Sequence, residues 1–228
     1  MTVSSNSVSY LPEAPDPSLN PEEGVCEARS IEEPELIHWS ACMRELSLHI
    51  LDAVENSIKA GASLVELIIE EDLAADQLHI TIRDNGHGIE KDQLARIFDP
   101  FFTTRKTRHV GLGIPLFKAA AERCNGGLTI SSQVGQGTTL KATFQHSHID
   151  RAPLGDIQGT LLTIILFDAG DVHYVHRVDG QVFEFNTVDI RAELGGIPLS
   201  HPEVRKWLQA FITEGEAELN QAPSPDAG

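Results

Sequence analysis

The feature that most constrains the fold is a change of period around residue 60. From about Ser40 to Ala60, apolar residues return every three or four positions, the spacing of one helix face. Beyond Gly61 they return at strand spacing in LVELIIEE (64–71). The same holds in QLHITIRD (77–84), where Leu78, Ile80 and Ile82 alternate with polar neighbours. A helix leading straight into two half-buried strands has one economical partner for its apolar side, the sheet those strands begin. The pattern then continues. NGHG (85–88) is a turn, KDQLARIFD (91–99) predicts a short helix, and FFTTRKTRHVGLG (101–113) predicts a loop with two glycines at its end. IPLFKAAAERCNGG (114–127) predicts a helix with a glycine stop, and GLTISSQ (127–133) with TTLKATFQ (138–145) a hairpin joined by VGQG. This order predicts an α+β fold: a two-layer α/β sandwich with helices on one face of a mixed sheet.

The remainder reads as an appendage. TLLTIILFD (160–168) is a continuous apolar run with strand character, VHYVHRV and QVFEF flank a VDGQ turn, and SHPEVRKWLQAFI (200–212) predicts a helix opened by Ser200 and Glu203. The expected division is an acidic, Pro-rich, disordered tail over 1–35, a main domain over 36–148, a small α+β domain over 149–213 and a flexible acidic tail over 214–228. Residues 1–35 carry five prolines and eight acidic residues against one basic one, too little apolar surface to pack.

Charge limits the partners. With 34 acidic residues against 17 basic, a formal net charge of −17 repels phosphate backbones and anionic lipid, which argues against nucleic acid and membrane. No apolar run reaches the ~18 residues of a membrane span, and the N-terminus lacks the pattern of a signal peptide. Three widely spaced cysteines, Cys26, Cys42 and Cys124, fit a reducing cytoplasm better than a disulfide framework or zinc site. An anionic ligand would therefore need locally clustered donors and a metal ion.

Four stretches carry candidate chemistry. In HILDAVENSIKAGAS (49–63), Ile50, Leu51, Val54, Ser57 and Ile58 share one helical arc; His49, Asp52, Asn56 and Lys59 share the other, with Glu55 at its edge. Asp52 and Asn56 lie one turn apart. In DNGHGI (84–89), Asp84 closes a strand, and Gly86 and Gly88 permit positive φ or close approach to a ligand. GLGI (111–114) opens a helix whose N–H groups suit phosphate, and GQGTT (135–139) is a hairpin turn.

Together and in this order, these stretches over roughly 38–147 resemble the GHKL superfamily: histidine kinases, gyrase B, the ninety-kilodalton heat-shock chaperones and MutL, which share the Bergerat fold. DAVENSIKAGAS resembles the N box, DNGHGI the G1 box, IFDPFFTT (97–104) the F box of histidine kinases, GLGI the G2 box and GQGTT the G3 box. The resemblance implies Mg-ATP as ligand, with Asn56 on magnesium and Asp84 on adenine. It implies nucleotide contacts from Lys59, Gly86, Gly88, Ile89, Phe102, Thr103, Gly111, Leu112, Gly113 and Thr138. Arg105 and Lys106 would supply positive charge from a lid over 103–110. Asp52 stands where the ATPase branches carry a water-activating Glu and is the candidate base. The resemblance further implies a stand-alone, kinase-like regulator of a protein partner, with a homodimer as one arrangement. A slow ATPase switch and a non-catalytic sensor are the alternatives. All ten histidines read as ordinary side chains, because no two-helix hairpin bearing a phosphoacceptor fits upstream of the N box.

Overall fold

A computed structural model describes residues 45–99, 112–167 and 170–219. The element order is α1 (Leu46–Lys59), β1 (Leu64–Asp72), β2 (Gln77–Asp84), α2 (Lys91–Leu94), α3 (Gly113–Arg123), β3 (Gly127–Gln133) and β4 (Gly137–Gln145). Then come α4 (Ile157–Leu166), β5 (Asp171–Val178), β6 (Gln181–Asn186), α5 (Thr187–Glu193) and α6 (Pro202–Leu219). One six-stranded sheet runs β3-β4-β2-β1-β5-β6. Among the described strands only β1 and β5 pair parallel, so the sheet is mixed and the fold is the expected α+β type.

Register places the core. Leu67 opposes Ile82 on one side and Tyr174 on the other, while Ile80 opposes Ile69 and Ala142. These side chains form one apolar face of the sheet, because alternate residues of a strand point the same way. Against it pack Leu46, Ile50 and Val54 of α1, Phe117 and Ala121 of α3, Leu161 and Ile165 of α4, and Leu208 and Ile212 of α6. Burying each of these side chains apart from Ala121 is worth about 1.5–3 kcal/mol. The other face is polar, with a ladder running Arg83, Glu66, His173, Glu184 across four strands.

Four expectations need correction. The apolar run at 160–168 is not a strand but most of α4. Ile157, Thr160, Leu161, Ile164 and Ile165 are buried, at helical spacing, and Asp156 caps the helix by accepting from the Gly159 N–H at 2.8 Å. Residues 149–213 build no separate sheet, since β5 continues the main one through β1. The C-terminal helix runs on to Leu219, with Glu216 and Leu219 buried, so residues 214–219 are not a frayed tail. Finally, the helix expected over 91–99 is a single turn, α2, followed by turns.

α6 is fastened to the sheet by a buried polar cluster. His176 Nδ1 meets Glu216 at 3.0 Å and its Nε2 meets Glu71 at 3.1 Å. The Tyr174 hydroxyl donates to Glu216 at 2.8 Å, and His146 reaches the other Glu71 oxygen at 2.6 Å. Both ring nitrogens of His176 face carboxylates and must both donate, which defines an imidazolium. Burial works against that charge, yet the hydrogen bonds and charges of Glu216 and Glu71 outweigh it and raise the His176 pKa to about 9. Hydrogen bonding from His176, opposed by burial and helped by His146, lowers Glu71 to about 2. Among the described residues no His/Cys/Asp/Glu group is arranged for a metal ion.

Candidate functional site

The end of β2 next to α1 gathers Asp84, Gly86 and Thr138 from the sequence-predicted set. Asp84, the last residue of β2, is buried. Three donors from three segments fix its carboxylate. The Ser57 hydroxyl of α1 donates to Oδ2 at 2.8 Å, and the N–H groups of Gly86 and Thr138 donate to Oδ1 at 2.9 and 3.2 Å. A carboxylate offers about four lone-pair directions. Among the described residues three are taken, which leaves one on Oδ2 for a further donor.

The turn after Asp84 is held from both sides. Asn85 Oδ1 accepts from the Ser63 and Leu64 N–H groups at 2.8 and 3.0 Å, pinning it to the start of β1. The Ile89 N–H donates to Ser132 Oγ at 2.8 Å, and Gly135 N–H donates to the His87 carbonyl at 2.8 Å, pinning it to the β3–β4 hairpin. Ser132 also reaches Thr138 Oγ1 at 3.0 Å. The glycines here make room for protein atoms. A Cβ on Gly86 would lie 2.8 Å from the Ala60 carbonyl oxygen, and one on Gly88 (φ +72°) would overlap the Gln133 carbonyl. Close backbone packing requires a glycine at both positions, and Gly88 also takes the positive φ that its motif allowed for.

α1 carries the other polar groups. Asp52 and Asn56 are partly exposed, one turn apart. The Asp52 carboxylate lies against Gly113, the first residue of α3, where a Cβ would overlap it. Thus Asp52 and Gly113, distant in sequence, meet at the start of α3, with Leu112 as its N-cap. Lys59 is exposed and paired with Glu55 at 2.7 Å. His49 departs from its expected polar arc: it is buried and stacked on Phe117, ring centroids 4.8 Å apart, because α1 packs on α3 as well as on the sheet. Burial lowers its pKa to about 4. Phe102, Thr103, Arg105, Lys106 and Gly111 lie outside the described residues. Ser57 and Ser132 were missing from the sequence-derived set. Ser57 sits on the apolar arc beside Asn56, and a hydroxyl at that position was the available signal.

Residues 44–148 match the family described as Histidine kinase-, DNA gyrase B-, and HSP90-like ATPase. That segment belongs to the GHKL superfamily. Its relatives include Sensor protein BceS of Halalkalibacterium halodurans, 35% identical over 43% of this chain and 30% of that protein. Sensor protein kinase WalK of Staphylococcus haemolyticus is 32% identical over 43% of this chain and 17% of its own length. The Non-motile and phage-resistance protein of Caulobacter vibrioides is 31% identical over 53% and 15%. The chain thus spans less than a third of each of these relatives. This GHKL domain is of the ATP-binding, histidine-kinase type, and α1, the Asp84 turn and the Thr138 N–H all lie within the matched segment. No described helix is long and apolar enough to cross a membrane.

Proposed function

We propose that the GHKL domain binds Mg-ATP and that the chain works as a kinase-like regulatory protein phosphorylating a protein partner in the cytoplasm. The observation that carries the ligand is Asp84. A buried carboxylate with three fixed donors and one free lone pair is a stiff acceptor for a single N–H, such as the exocyclic amine of adenine. Asn56 would offer its amide oxygen to magnesium. One amide ligand fits that ion, which usually keeps several waters and takes the rest of its shell from substrate phosphates. The ion would neutralise phosphate charge beside an acidic protein. The start of α3 is the natural place for phosphate oxygens, and Lys59, Arg105 and Lys106 are the proposed cations.

The second reading is a nucleotide-driven switch, hydrolysing slowly or only binding. Asp52, the candidate base for either reaction, lies against Gly113 at the start of α3. Calorimetric titration of the full chain with Mg-ATP tests the ligand. Asp84→Asn should weaken binding at least tenfold, and unchanged affinity in a variant that still melts cooperatively would sink the assignment. Incubation with γ-labelled ATP separates the reactions, since label on a second protein supports a kinase, and free phosphate or intact ATP supports the switch.

A further inference from the structure

We propose that the outer edge of β6, with the flank of α6 overhanging it, binds an extended basic segment of a protein partner by strand addition. This goes beyond the nucleotide site and needs no nucleotide. β6 ends the sheet, and among the described residues nothing pairs with its outer edge. Edge strands left long and uncharged invite pairing; β6 carries a single charge, Glu184, held by His173 at 2.8 Å, and exposes Val182.

α6 supplies the second wall. It sits on β6 through Phe211 and Gly215, whose missing Cβ admits the Phe183 ring. Ile212 and Glu216 lie further round the helix, on the side of the cluster on β5. Helical spacing therefore sends Glu203, Trp207 and Glu214 (i, i+4, i+11) to the flank beyond β6. All three are exposed, and Trp207 is 49% exposed although one face stacks on Phe211 at 5.2 Å. Neither Glu203 nor Glu214 has an ion-pair partner among the described residues.

This charge pattern selects the occupant. A strand added to β6 would send alternate side chains under the α6 flank. There an aromatic face stands between two carboxylates. Lysine or arginine matches it, the alkyl stem lying on Trp207 and the cation reaching Glu203 or Glu214. Acidic segments are repelled there, and purely apolar ones leave both carboxylates unmatched.

The probe is a fluorescein-labelled acetyl peptide of alternating lysine and valine, titrated into the full chain by anisotropy without nucleotide. At about 0.15 M salt, charges more than ~8 Å apart are largely screened. The expected result is saturable binding, about tenfold weaker for Trp207→Ala and several-fold weaker for Glu203→Gln/Glu214→Gln. N-methylation of alternate peptide amides, which removes edge hydrogen bonds but no charge, should also weaken it about tenfold. Absence of binding would overturn the proposal. So would equal binding of Trp207→Ala or of the N-methylated peptide, since attraction to the acidic surface would then suffice. Both variants alter exposed side chains, and a shared melting temperature checks that they fold.

Discussion

At Ser57 one hydroxyl joins packing to recognition. It occupies the apolar arc of α1 as a small side chain and holds Asp84 Oδ2 at 2.8 Å. Ser57→Ala should cost about 1–3 kcal/mol in urea unfolding, the range for removing a hydrogen bond to a charged acceptor. It should also weaken ATP binding, because Asp84 loses one of three constraints. Gly113 makes a second local prediction. Gly113→Ala ought to favour helix intrinsically by up to about 1 kcal/mol, yet its methyl collides with the Asp52 carboxylate. The single variant is expected to lose stability, and the double variant with Asp52→Ala to regain most of it, a coupling readable in a double-mutant cycle. Asp84, Gly86 and Thr138 were legible because short motifs name them. Ser57 and the buried His49 were not, since one-dimensional periodicity records a single packing face and α1 has two.

Among the elements, α4 and α6 carry the sharper lessons. The run TLLTIILF is so apolar that period alone cannot tell a buried strand from a buried helix. The deciding signal was Asp156 before it, three residues ahead of the amide it caps. Leu161 is fully buried, so Leu161→Ala should destabilise the protein by about 2–5 kcal/mol in chemical denaturation. For α6 the observable is pH. The folded pKa of His176 is raised from 6.5 to about 9. Its contribution is therefore complete below pH 6.5 and disappears as pH climbs through 9. His49, lowered to about 4, contributes fully above pH 6.5 and loses that contribution as pH falls toward 4. Melting temperatures should peak near pH 6.5, and His176→Gln should flatten the alkaline limb while sparing the acidic one. An alkaline limb unaltered by that variant would remove His176 from the account. Strands and hairpins were easily read, as alternation fixes both their faces; that the β5–β6 hairpin joins the first sheet was not, because parallel pairing of β1 with β5 leaves no local trace.

At the scale of the whole molecule, the one core shared by the described residues predicts a single transition. Side chains from α1, α3, α4 and α6 share one apolar cluster on one sheet. Calorimetry should show one cooperative unfolding step, and Mg-ATP should move it as a unit. A chain ended at Asp150 would expose the β1 edge and the apolar face under α4, and should elute as aggregate in size exclusion; a monomeric, cooperatively melting fragment would contradict the shared core.

The β1–β5 pairing also bears on how the protein is made. The Leu73 N–H donates to Asp179, a residue 106 positions later in the chain. At roughly 5–20 residues per second of synthesis, β1 would wait about 5–20 s on the ribosome before that partner exists. Every described residue of the proposed nucleotide site precedes that moment. The nascent polypeptide thus holds its recognition groups before the strand and helices that complete their support, and during that interval an open, apolar strand edge is exposed to chaperones and to neighbouring chains.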